Sequence, residues 1–148
     1  MTRVDFYILS GDSADQRLEL ACRLAEKALA SGQQLFIHTQ DSETCSRLDE
    51  KLWTFRAESF VAHRAISAGD SSFEDEPVVI AHDVEPDGSR PVLINLALDD
   101  DKPPVFFSRF ERTLEIINDQ PTIKSAGRNR WNFYKQHNYP LNHHKISI

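Results

Sequence analysis

Apolar positions in this chain fall into short runs separated by polar turns, and the spacing of the runs alternates between a strand period and a helix period. Residues 4–9 (VDFYIL) are largely apolar with β-branched and aromatic members, which predicts a central strand. The SGDSAD that follows has turn chemistry, and either Asp12 or Ser13 is placed to cap a helix. From Ala14 to Ala30, Leu18, Ala21, Cys22, Ala25, Ala28 and Leu29 recur at 3.6-residue spacing, with Glu19 and Arg23 one turn apart on the other side. Ser31-Gly32 ends this helix, because glycine accepts the left-handed geometry of a C-cap. QLFIHT (34–39) predicts a second strand, and a helix from about Ser42 to Leu52 follows, capped by Asp41 or Ser42. Strand, helix, strand, helix with short links favours a parallel, largely buried sheet.

The stretch from Trp53 to Pro77 is irregular and long for a connection, a length that marks a functional surface or a partly ordered loop. Trp53, Phe55, Phe60 and Phe73 lie in or beside it; Trp53 is expected in the core, and Phe60 is open between core and partner contact. PVVIAH (77–82) and PVLINL (91–96) read as strands, either as a long-looped hairpin or as parallel neighbours. RFERTLEIIN (109–118) fits a fifth strand by alternation or a helix by the spacing of Phe110, Leu114 and Ile117. Residues 122–137 predict a last helix with Thr122 as its N-cap, and residues 138–148 fray or pack back as an extended tail. The expectation is one three-layer α/β domain over residues 1–148 with a mostly parallel sheet.

Net charge is −6, which argues against a protein that grips duplex nucleic acid across its whole face. The average hides an asymmetry. Residues 69–101 hold ten acids against one base, Arg90, whereas from Pro121 onward Lys124, Arg128, Arg130, Lys135 and Lys145 are accompanied by no acid. Clustered cations concentrate an anionic partner. No run reaches 18 apolar residues and the N-terminus lacks a signal-like apolar stretch, so a cytoplasmic protein without a membrane anchor is expected.

Candidate chemistry is sparse. The first strand–helix turn has one glycine and two acids, Asp12 and Asp15, where a phosphate loop needs glycines and a lysine. Cys22 belongs to an apolar stripe and Cys45 to a helix start without a sequence-local histidine. His82-Asp83, His143-His144 and the acidic runs at 74–76 and 99–101 match no zinc or calcium spacing. These residues predict no catalytic site, no metal and no cofactor; a small nucleotide-dependent α/β enzyme is the alternative reading.

The last helix carries the sharpest pattern. Lys124, Arg128, Trp131 and Lys135 are spaced by four, three and four residues and share one face, with Asn132 beside them. Ile123, Gly127, Arg130 and Tyr134 define another stripe, and aromatic content leaves open which of the two is buried. A basic row beside an indole suits a short acidic peptide that ends in an aromatic residue and a carboxylate; the plainer reading is a solvated face with Trp131 covering the sheet.

Longer segments sharpen this picture. DFYIL near the start, RLDEKLWTFRAESFVAH (Arg47 to His63), PVLINL, PPVFFSRFERTLEII (Pro103 to Ile117) and RNRWNFYK (Arg128 to Lys135) follow one another over nearly the full length. In that order they resemble the chi subunit family of the bacterial DNA polymerase III holoenzyme. The resemblance implies a Rossmann-like α/β domain without a working nucleotide site and a non-catalytic role in the clamp-loader complex. Its implied partners are the psi subunit and the acidic, phenylalanine-ending tail of single-stranded DNA-binding protein, with DNA contact mainly indirect. It implies tail binding by Arg128 as charge clamp with Trp131 beside it, and psi binding near Phe60, a surface that in this family also engages a helicase-like repair partner. The family can place a lysine where this chain has Asn132, an amide that cannot neutralise an acid; Lys135 or Lys124 is positioned to compensate. Ala62 stands where a proline is common in the family, which leaves that loop less rigid.

Overall fold

The computed structural model describes residues 1–54, 62–66, 76–97 and 100–147. Seven strands form one sheet: β1 (Arg3–Leu9), β2 (Leu35–His38), β3 (His63–Ile66), β4 (Val78–Ala81), β5 (Val92–Asn95), β6 (Arg112–Ile117) and β7 (Leu141–Ile146). They lie in the order β3-β4-β2-β5-β6-β1-β7, and all six pairings between neighbours are parallel. Three helices pack on it: α1 (Ala14–Ala30), α2 (Ser42–Thr54) and α3 (Pro121–Gln136). This is a Rossmann-like α/β fold.

The strand period of two divides the sheet into two cores. Leu35 and Ile37 of β2, Ile80 of β4 and Ile94 of β5 face α1 and α2, meeting Leu18, Ala21, Cys22, Ala25, Leu48 and Leu52. Phe36, Val79 and Leu93 point the opposite way, toward α3 and a group of rings formed by Phe106, Phe107 and Phe110. The alternation explains why central strands read as continuous apolar runs: both faces are covered.

Local chemistry sets the helix ends. Ser13 caps α1 by accepting from the Gln16 amide, and Gly32 follows the C-cap with a φ of +74°, the left-handed conformation expected there. The Asp41 carboxylate accepts from the Thr44 amide at 2.8 Å, so Asp41 caps α2. The cap of α3 differs from expectation. Gln120, not Thr122, accepts from the Ile123 amide, and Pro121 opens the helix. Proline's preset φ and missing N–H suit a first helical position, which puts the cap at Gln120, two residues upstream of Thr122.

Five other expectations are settled or corrected. Residues 78–81 and 92–95 are parallel strands on either side of β2, not a hairpin. The ambiguous 109–118 segment contributes β6, because the sheet supplies partners on both sides, β5 and β1. Residues 141–146 are an edge strand paired with β1 instead of a loose tail. Trp53 is 56% exposed, one position past the buried Leu52 on α2, so it turns out of the core and packs on the His63 ring at 4.7 Å. β3 lies inside the stretch read as irregular; its four residues, HRAI, are too short and mixed to announce a strand.

Candidate functional site

α3 divides along its length into a buried and an exposed stripe. Ile123, Ala126, Gly127, Arg130 and Tyr134 are buried, whereas Lys124, Arg128, Asn132 and Lys135 are exposed and Trp131 is half-buried. The stripe left open by its aromatic content is therefore the one that faces the sheet.

That stripe is anchored by a charge as well as by rings. Glu115 of β6 is fully buried and accepts from Arg130 Nε at 3.0 Å, Tyr134 Oη at 2.8 Å and Asn95 Nδ2 at 3.1 Å. Arg130 Nη1 also donates to the Asp100 carbonyl at 2.6 Å. Arg130 is thus an internal strut and no part of the surface row. Burial, followed by the neighbouring Glu115 charge, holds the Tyr134 phenol well above its ordinary range. Close packing completes the contact: a Cβ on Gly127 would stand 2.7 Å from Ile117 Cδ1, so only glycine lets α3 approach β6 this closely.

Between α3 and the sheet this packing leaves a hollow of about 180 Å³, lined by Phe6, Ile8, Ile117, Lys124, Gly127, Arg128 and Trp131. Its floor is apolar and its rim carries two cations. Trp131 is braced edge-on by Phe6 at 5.1 Å and by His143 at 5.9 Å. Lys124 Nζ stands 3.8 Å from Asp119 Oδ1, with both side chains about half exposed, a loose pair that a ligand anion can replace. The structure brings together Lys124, Arg128 and Trp131. Asn132 and Lys135 are exposed on α3 but are not among the lining residues. Phe60 lies outside the described residues. Sequence reading missed Phe6, Ile8 and Ile117 as site residues; the i, i+2 spacing of Phe6 and Ile8 in one strand was the available signal, but it does not say which face a helix will cover, and Ile117 comes from a different strand.

Nucleotide chemistry has no foothold at the first strand–helix turn. The Gly11 amide, which a phosphate would need, donates to Asp119 Oδ2 at 2.8 Å, and Asn118 Nδ2 ties the same turn by donating to the Ser13 carbonyl. A carboxylate occupies the place of the anion. Cys45 Sγ lies 2.9 Å from Thr39 Oγ1 and 3.7 Å from His82 Nδ1, a neighbour that sequence distance concealed, yet burial pushes its thiol upward and away from the nucleophilic thiolate. Among the described residues no group of three His, Cys, Asp or Glu side chains is arranged to hold a metal ion, and no helix is long and apolar enough to cross a membrane.

Residues 1–142 match the family model described as DNA polymerase III chi subunit, HolC. The chain belongs to the chi subunit family. Its relatives include the DNA polymerase III subunit chi of Pseudomonas aeruginosa, 38% identical over 99% of this chain and 98% of the relative. The subunit chi of Escherichia coli strain K12 is 30% identical over 96% of this chain and 97% of that protein. That of Haemophilus influenzae is 27% identical over 88% and 86%. Among solved structures, that of T4 UvsW superposes with a TM-score of 0.75 at 9% identity, covering 99% of this chain and 42% of UvsW. That likeness shows the fold alone.

Proposed function

We propose that this chain is a non-catalytic accessory subunit of the replicative DNA polymerase, acting as a tether between the clamp loader and single-stranded DNA coated by its binding protein. The observation that carries the reading is the hollow beneath α3, which combines an apolar floor of Phe6, Ile8 and Ile117 with Arg128 and Lys124 on its rim. A peptide ending in phenylalanine presents an aromatic ring and a terminal carboxylate a few ångströms apart. The ring enters the hollow beside Trp131, and the carboxylate meets the Arg128 guanidinium, a charge-assisted contact that discriminates a free terminus from an amide. The acidic tail of single-stranded DNA-binding protein has this chemistry.

Psi docks separately, at the region around Phe60. Holding both partners at once converts the second encounter into a local one, so the clamp loader is concentrated at the coated strand without needing strong DNA affinity of its own. The net charge of −6 accords with indirect DNA contact.

The test is a titration with an acidic peptide ending in a phenylalanine carboxylate, beside its amidated twin, at two salt concentrations. Saturable, salt-sensitive binding that requires the free carboxylate is expected. Arg128→Ala is expected to weaken it by about 2 kcal/mol, roughly thirtyfold. Equal affinity for the amidated peptide, or an unaffected Arg128→Ala protein, overturns the assignment.

A further inference from the structure

The cations that border the hollow are not confined to α3. β7 runs parallel to β1, with His143 level with Phe6 and Lys145 level with Ile8. Residues at one level on neighbouring strands point to the same face of a sheet. Ring contacts follow that rule here: Phe6 and His143 both meet Trp131, while on the opposite face Tyr7 stacks on its partner His144 at 5.0 Å. Ile8 lines the hollow, so Lys145 stands on the same face one strand further out, across from Lys124 and Arg128. β7 is the outermost strand, and its residues 142–145 are exposed. Asp5 lies on the far face, where it pairs with Arg112 and His144, and Glu115 is consumed beneath α3. No acid follows Pro121 in the chain, and Asp119 at the rim is loosely paired with Lys124 on the α3 side.

We propose that Lys145, on β7, is a second anchor of the acidic peptide site, reading the acidic residues that precede the terminal phenylalanine. The inference rests on the tail-binding reading above. An extended peptide advances about 3.4 Å per residue, and neighbouring strands lie about 4.8 Å apart. A chain whose last ring is in the hollow therefore reaches β7 within its preceding two or three residues. Arg128 recognises the terminus; Lys145 recognises the acidic run. The division also supplies a cation on the sheet side of the hollow, opposite those of α3.

Three peptides separate the two readings: an acidic run ending in phenylalanine, the same length with its acids replaced by amides but the free terminus kept, and the acidic run with an amidated end. Calorimetry with the full chain is expected to show Lys145→Ala weakening the first peptide by about threefold to fivefold, the scale of an exposed ion pair, and leaving the second unchanged. Lys145→Glu is expected to weaken the first by about tenfold and to flatten its salt dependence. Arg128→Ala weakens both peptides with a free terminus. Equal loss for the first two peptides, or no loss in either Lys145 variant while Arg128→Ala still weakens binding, overturns the β7 contact and leaves the tail site standing. Failure of the unaltered chain to bind the first peptide overturns both.

Discussion

Glu115 is a carboxylate without exposed surface, held by a guanidinium, a phenol and an amide, and each of those groups lies on a different turn or strand. Such a cluster contributes little over an apolar core while intact, but losing one partner leaves an uncompensated buried charge. Glu115→Gln is expected to lower stability by about 3 kcal/mol in urea unfolding, and an unchanged midpoint would show that Arg130 finds another counter-charge. Cys22 makes a different prediction. Burial, the largest influence, drives its thiol up to about 12 from an ordinary 9.0, and Cys45 and Tyr134 are shifted upward too. Above the ordinary thiol value the unfolded chain gives up a proton that the native state keeps, so stability is full below about pH 9 and falls as pH rises toward the folded value. One such group contributes a slope of about 1.4 kcal/mol per pH unit. Thermal melts between pH 8 and 10.5 should therefore decline, and Cys22→Ala should decline less steeply than the parent. Identical slopes would mean that Cys22 titrates alike in both states.

At the scale of elements, the contact between α3 and β6 sets two preferences against each other at Gly127. An exposed helix gains about 1 kcal/mol from glycine to alanine. Here the new Cβ meets Ile117 atoms at 2.7, 3.1 and 3.3 Å inside a packed interface, and overpacking costs typically 1–3 kcal/mol. Gly127→Ala is expected to be net destabilising by about 1 kcal/mol, with Ile117→Val in the same chain restoring part of it because the closest methyl is removed. A more stable Gly127→Ala protein would show that Ile117 moves aside freely. β7 illustrates how an edge can be protected while remaining useful. Its four central residues, Asn142, His143, His144 and Lys145, are polar and exposed, which discourages strand-to-strand aggregation at the sheet margin and keeps a cation beside the hollow.

Across the whole molecule, the hollow sits over β6 and β1 near one edge of the sheet, while β3, the strand that follows the Phe60 region in the chain, forms the other. Phe60 lies outside the described residues, so the two assignments are tested by their separate ligands. Phe60→Ala is expected to lose psi and keep the acidic peptide, and Arg128→Ala the reverse; pull-down with psi beside peptide calorimetry reads both, and loss of both ligands from one substitution would place them on a shared surface. Much of this architecture is legible locally. The 3.6-residue stripe of α1, the apolar runs of β1 and β2, the Gly32 stop and the shared face of Lys124, Arg128 and Trp131 all follow from residues near one another in sequence. Periodicity tells which residues of an element turn the same way, but it does not name the surface they turn toward. The strand order and the path of residues 112–117 as β6 were decided by pairings such as Val4 with Thr113 and with Leu141. Those contacts join residues more than a hundred positions apart, and only the packing of the whole sheet rewards them. The same is true of the site: sequence determined its cations, and tertiary structure decided that Phe6, Ile8 and Ile117 lie beneath them as an apolar floor.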